Sequence, residues 1–172
     1  MRTIFLACAA FALAGCSSMH MSRQAGAVAS LEPTTGNSVR GSVTFTQDGD
    51  EVRVRATVSG LPPGSEHGFH IHDKGDCSSG DGMSAGGHFN PGGKPHGPQS
   101  GEHHAGDMPS LTADAYGNAT ASFELKGVSV GGGGATDVVG HGLIVHKDPD
   151  DFKTQPTGNA GARVACAVIR AS

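Results

Sequence analysis

The chain has 172 residues, 12 basic against 16 acidic side chains, ten histidines and a formal charge of −4. That length suits one domain, and without a block of basic residues no nucleic-acid partner is expected. Glycine, at 28 residues, is roughly twice its usual share; because glycine disfavours helix interiors, a mostly helical protein or a coiled coil is ruled out. Histidine is the commonest metal ligand and titrates near neutrality, so the histidine positions carry the functional reading.

Residues 1–15 read as an export signal, with Arg2, an apolar stretch from Ile4 to Ala14 and a small-residue ending. The apolar run is too short to span a bilayer. Leu13-Ala14-Gly15-Cys16 resembles a bacterial lipobox, which implies cleavage before Cys16 and lipid on that cysteine. The expected product is a lipoprotein held at a membrane of the periplasm or cell envelope; an ordinary signal peptide with an incidental cysteine is the alternative. Residues 16–27 are small and polar and read as a flexible tether, leaving 28–172 as the domain. Met19-His20-Met21 lies in the tether and reads as incidental. Export leaves Cys77 and Cys166 either paired, as an oxidising compartment permits, or as two buried thiols.

The body reads as antiparallel β structure. Val39, Val43 and Phe45 alternate with polar residues, Gln47-Asp48-Gly49-Asp50 is a turn signal, and Val52, Val54, Ala56 and Val58 alternate again, which predicts a hairpin with one dry face. A second hairpin is predicted to turn at Tyr116-Gly117-Asn118, with Ala121, Phe123 and Leu125 facing inward. Residues 142–146 and 164–169 are apolar on both faces and read as central strands. Several short strands separated by turns predict a sandwich or barrel. Residues 73–109 interrupt this pattern with a long loop rich in glycine, proline and histidine, a length uncommon in ordered loops without a function.

His70 and His72 stand two apart, so on a strand both face the same side. His88, His96 and His104 are spaced by eight, Asp107 follows three later, and His146 ends an apolar strand. Three imidazoles and a carboxylate suit tetrahedral zinc. An H-x-H pair, three spaced histidines with an aspartate and a strand-terminal histidine together predict metal sites; spacing alone leaves the ions, and any sharing of a histidine, open.

Gly68-Phe69-His70-Ile71-His72, Gly87-His88-Phe89-Asn90-Pro91, His104-Ala105-Gly106-Asp107 and the run from Gly158 to Cys166, Gly-Asn-Ala-Gly-Ala-Arg-Val-Ala-Cys, closely resemble copper–zinc superoxide dismutase. The resemblance implies an eight-stranded Greek-key β-barrel with long metal-binding and electrostatic loops. It implies one copper and one zinc per subunit and dismutation of superoxide to oxygen and hydrogen peroxide, protecting the cell envelope. Carried onto this chain, it implies His70, His72, His88 and His146 on copper, and His88, His96, His104 and Asp107 on zinc, with His88 shared. Arg163 would anchor superoxide, Asp150 would link His70 to His96, and Cys77 would pair with Cys166. Such a bridge closes a long loop and contributes roughly 4–5 kcal/mol in the chain-entropy model.

Other residues have plainer readings. His67 and His141 read as structural, His103 as solvent-exposed, Lys153 as a solvated surface lysine, and Gly131 to Gly134 as a permissive loop. A copper-buffering protein on the same scaffold is the competing function, and Arg163 weighs against it, because a store needs no substrate anchor. The oligomeric state stays open between monomer and homodimer.

Overall fold

The computed structural model describes residues 24–172. Cys16, with its expected lipid, and the Met19-His20-Met21 stretch lie outside the described residues. The strands are β1 (Gly26–Pro33), β2 (Arg40–Asp48), β3 (Glu51–Ser59), β4 (Glu66–His67), β5 (Phe69–His72), β6 (Leu111–Thr112), β7 (Ala119–Lys126), β8 (Gly142–His146), β9 (Arg163–Val168) and β10 (Arg170–Ala171). A single 3-10 turn, Met83–Ala85, is the one helical element among the described residues, and none of their helices is long and apolar enough to cross a membrane.

The strands form one curled antiparallel sheet in the order β5-β8-β9-β1-β2-β3-β7, with β10 also paired to β1 and a small β4-β6 pair beside it. The architecture is all-β, as the alternation predicted, and of the barrel type that the resemblance implied. β2 and β3 pair from Arg40 opposite Ser59 to Asp48 opposite Glu51, so the predicted turn closes the hairpin where the polar run stands. Val43, Phe45, Val52 and Val54 are fully buried there. β8 is buried along its whole length and β9 along its middle, as expected for strands flanked on both sides.

Two expectations are corrected. The ordered sheet begins at Gly26, inside the segment read as tether, because Ala27 and Ala29 are small enough to face the core while alternating with exposed neighbours. The second hairpin does not form as a ladder of adjacent strands. Asp114 closes the turn by accepting the backbone N–H groups of Tyr116 and Asn118, but β7 pairs with β3 instead, and β6 pairs with β4. The inward phase was right: Leu125 is buried, and Ala121 and Phe123 pack against the core.

The long loop 73–109 is pinned to β5. Ile71 donates to Gly106 O and accepts from Phe89 N, both at 2.9 Å. This covers the open edge of β5, which would otherwise present unpaired backbone groups, and carries loop histidines to the strand that bears His70 and His72. Cys77 and Cys166 form a disulfide with Cα atoms 5.9 Å apart, tying the loop to β9.

Candidate metal centre

β5 puts His70 and His72 two residues apart, both fully buried. β8 pairs with β5 so that Phe69 lies opposite Val145, which brings His146 at the end of β8 to the same end of the barrel. The loop adds His88, which bridges to His72 along the strand edge. The second group, His96, His104 and Asp107, comes from the loop alone, and Asp107 bridges to His70. In each of the two groups, His70, His72, His88 and His146, and His88, His96, His104 and Asp107, the ligand atoms lie within 4.8 Å of one another. His88 belongs to both. The structure thus brings all seven of the expected ligand residues together in two groups, and all seven are buried.

Ring orientation is set by bonds to the nitrogens that face away from the clusters. His72 Nδ1 donates to Gly86 O at 3.0 Å, and His146 Nδ1 to Gly161 O at 3.2 Å. His70 Nε2 donates to Asp150 Oδ2 at 2.7 Å, and His96 Nε2 to Asp150 Oδ1 at 2.9 Å. Such partners fix the tautomer and aim the other nitrogen. Asp107 is aimed in the same way, its Oδ2 accepting from His104 N at 2.9 Å and Gly97 N at 3.2 Å.

The inward atoms fit metal ions. His70 Nδ1 and His88 Nε2 are buried with no hydrogen-bond partner, a costly state for a polar atom unless a ligand takes it, and His96 Nδ1 faces Asp107 Oδ2 at 3.0 Å. His72 Nε2 and His146 Nε2 approach to 3.3 Å; His88 Nδ1 and His104 Nδ1 approach to 3.4 Å. Metal–nitrogen bonds of 2.0–2.1 Å in a tetrahedron place two nitrogens about 3.3 Å apart, so these separations are those of neighbouring ligands.

Charge divides the groups. Burial pushes His70 down to about 4, against its hydrogen bond to Asp150, and pushes His146 down to about 3 and His72 well below its ordinary value. All three are neutral at neutral pH, the form that binds metal. At His96 burial is outweighed by hydrogen bonds and charge from Asp107 and Asp150, which raise it to about 9. Burial would raise both carboxyls, but hydrogen bonds from His88 and His96 hold Asp107, and from His70 and His96 hold Asp150, well below the usual range. The second group thus carries a fixed anion suited to a divalent cation.

Arg163 begins β9, and a register shift between Val145 and His146 sets it opposite His146. Its guanidinium donates to Gly82 O and Gly86 O, both at 2.6 Å. Gly86 O therefore serves both Arg163 and His72, fixing one relative to the other. No sequence signal marks a backbone carbonyl for that duty. Nor does the sequence show what Gly158 packs against: its φ is +64°, and a Cβ there would overlap Asp150 Oδ1 and come within 2.5 Å of His96 Nε2.

The remaining described histidines lie outside both groups. His67 is buried, with Nδ1 donating to His146 O at 2.8 Å, and His141 donates from Nδ1 to Asp73 O at 2.8 Å; both are structural as expected. His103 is half-buried rather than exposed, because its Nδ1 turns back onto Gly101 O at 2.8 Å. The glycine loop wraps an internal anion, Gly131 and Gly133 donating to Asp137.

A β-barrel with two buried, histidine-built pockets joined by one imidazole defines a dinuclear metalloprotein. Residues 39–169 match the copper/zinc superoxide dismutase (SODC) family. The chain is 38% identical over 160 residues to "Superoxide dismutase [Cu-Zn]" of Paramecium bursaria Chlorella virus 1, covering 89% of this chain and 82% of that protein. It is 40% identical over 140 residues to "Superoxide dismutase [Cu-Zn] 2" of Aquifex aeolicus (strain VF5), covering 79% and 82%. Among solved structures it is similar to the crystal structure of the clock protein EA4, with a TM-score of 0.77 and 36% identity, over 86% of this chain and 94% of that one. The chain belongs to the copper/zinc superoxide dismutase family. Its activity is dismutation of superoxide to oxygen and hydrogen peroxide, and its cofactors are copper and zinc.

Proposed function

We propose that His70, His72, His88 and His146 hold copper, that His88, His96, His104 and Asp107 hold zinc, and that the chain works as a lipoprotein of the bacterial cell envelope. The observation that carries the metal assignment is His88, whose Nε2 is orphaned on one side while Nδ1 lies 2.7 Å from Asp107 on the other. The all-nitrogen group suits a redox ion, and the group with a carboxylate suits zinc.

Bound copper supplies one-electron chemistry by alternating between two oxidation states, which zinc cannot do. The protein supplies the rest. Arg163 offers guanidinium donors beyond the two already used, and these match a small two-oxygen anion. Because the chain as a whole is negative, this local cation draws substrate toward the His72–His146 side. His88 Nε2, buried and free of any protein partner, is the atom positioned to take up a proton and deliver it as the second superoxide becomes hydrogen peroxide. Asp150 keeps His70 and His96 in register by holding both rings through one carboxylate.

The envelope reading is supported by the Arg2-to-Cys16 pattern and by a disulfide, which persists in oxidising compartments. Residues 1–15 would be the removed signal, Cys16 the lipidated residue, and the tether would end where β1 begins. The test is a metal-loaded mature protein in a direct dismutation assay, with elemental analysis and cell fractionation. About one copper and one zinc per chain, with activity in the membrane fraction that Cys16→Ser moves to the soluble fraction, is expected. Zinc alone from a copper-replete preparation refutes the copper assignment, and an unlipidated N-terminus refutes the anchor.

A further inference from the structure

His96 is gripped by one short segment of the following loop. Asp150 accepts from its ring Nε2, and the Phe152 ring lies parallel to it, 4° from coplanar with centroids 6.4 Å apart. Gln155 binds its backbone at both ends: Oε1 accepts from His96 N and Nε2 donates to His96 O, each at 2.8 Å. A side-chain amide that satisfies one residue's N–H and C=O together imitates a strand pairing, here between segments 59 residues apart. Phe152 has φ of 54°, a left-handed conformation unfavourable for a bulky residue. Such strain persists where the surroundings over-determine it, and Asp150 Oδ1 takes the Phe152 N–H at 2.7 Å. The segment is thus held in a costly shape around one histidine.

We propose that Gln155 is a positioning residue that locks the His96 backbone and so sets how long zinc stays bound. The inference rests on the proposed assignment of His96 to zinc. Asp150 alone fixes the ring against rotation but does not hold the backbone at His96, which lies between the points where loop 73–109 is pinned to β5. Gln155 supplies that hold, so Nδ1 cannot swing away from Asp107 without breaking two further bonds. Gln155 itself is exposed, so truncating it opens no cavity in the core and makes a clean probe.

The test uses the copper- and zinc-loaded full chain. Zinc release to a chromogenic chelator is followed in wild type, Gln155→Ala and Gln155→Glu, beside the visible spectrum of each protein with cobalt in place of zinc. Gln155→Ala should release zinc roughly tenfold faster, the loss expected of one to two net hydrogen bonds, and should shift the cobalt bands. Gln155→Glu, which keeps the acceptor for His96 N–H and loses the donor, should fall between the two. A wild-type protein that holds zinc, with Gln155→Ala releasing it at the wild-type rate and an unmoved cobalt spectrum, overturns the inference alone. Equal acceleration of copper and zinc release in both variants also overturns it, since that is general loosening. A wild-type protein that holds no zinc overturns the assignment and the inference with it.

Discussion

Substituting Gly158 by alanine tests whether the Asp150 link is as tight as the geometry makes it. The added methyl would occupy the space now filled by Asp150 Oδ1 and would stand 2.5 Å from His96 Nε2, so the carboxylate must withdraw from that ring. A hydrogen bond to a charged acceptor is worth about 1.5–3 kcal/mol. At 1.4 kcal/mol per decade, its loss lowers zinc affinity by roughly ten- to a hundredfold. The backbone at φ +64° adds about 1–2 kcal/mol of strain for a residue with a Cβ, felt with or without metal. That lowers the melting temperature of the metal-free protein by about 2–8 °C at this chain length. The assay is competition with a chelator of known zinc affinity, run beside calorimetry of the metal-free form. Because the clash falls on Oδ1, which serves His96, and not Oδ2, which serves His70, zinc should weaken more than copper. Unchanged zinc affinity would refute the reasoning, for it would mean that Asp150 can move without cost.

Cys77→Ser opens a bridge between cysteines 89 residues apart, which the chain-entropy model values at about 4–5 kcal/mol; denaturant unfolding should show most of it, and no change would mean the bridge adds nothing. The same change frees the loop that carries Gly82 O and Gly86 O, so activity should fall more than metal content does. Arg163→Glu should slow dismutation by roughly ten- to a hundredfold or more, the loss of a charge-assisted contact, with both metals retained; normal turnover would reject the anchoring role. Zinc binding near pH 7.5 should release a proton from His96, which stands at about 9 without metal, seen as a buffer-dependent enthalpy in titration calorimetry. Metal-free stability should peak near pH 6.5. The contribution of His96, whose folded value is raised from 6.5, is complete below that pH and lost as pH rises through about 9. The contributions of His70 and His146, whose folded values are depressed, are lost as pH falls from 6.5 toward about 4 and about 3. A melting temperature still climbing at pH 9 would contradict this.

Much of the centre was legible in the chain because its chemistry is written in residue types. His70 and His72 alternate on one strand, so their shared face followed from the pleat. The β2–β3 hairpin followed from alternation and a turn signal. The partner of β7 was not legible, because pairing with β3 depends on which apolar faces meet and not on the turn before it. β1 was missed because Ala27 and Ala29 are small and the short, polar residues before them resemble a tether. The hold of Phe152 and Gln155 on His96 carries no local pattern, since Gln155 acts across 59 residues of chain and on backbone atoms.

What the sequence determined by itself was the inventory: six imidazoles and a carboxylate able to bind metal, an arginine for an anion, two cysteines for a bridge and alternation sufficient for a barrel. Residue types and spacing left open that one ring, His88, faces both pockets and that Asp150 spans His70 and His96, which the family resemblance implied and strand register and loop docking bring about; only the folded chain decided that one carbonyl, Gly86 O, would align His72 with Arg163. The reason is that ligand identity is a property of side chains, whereas distance and direction come from strand register and loop docking, which are settled by contacts between residues far apart in the chain.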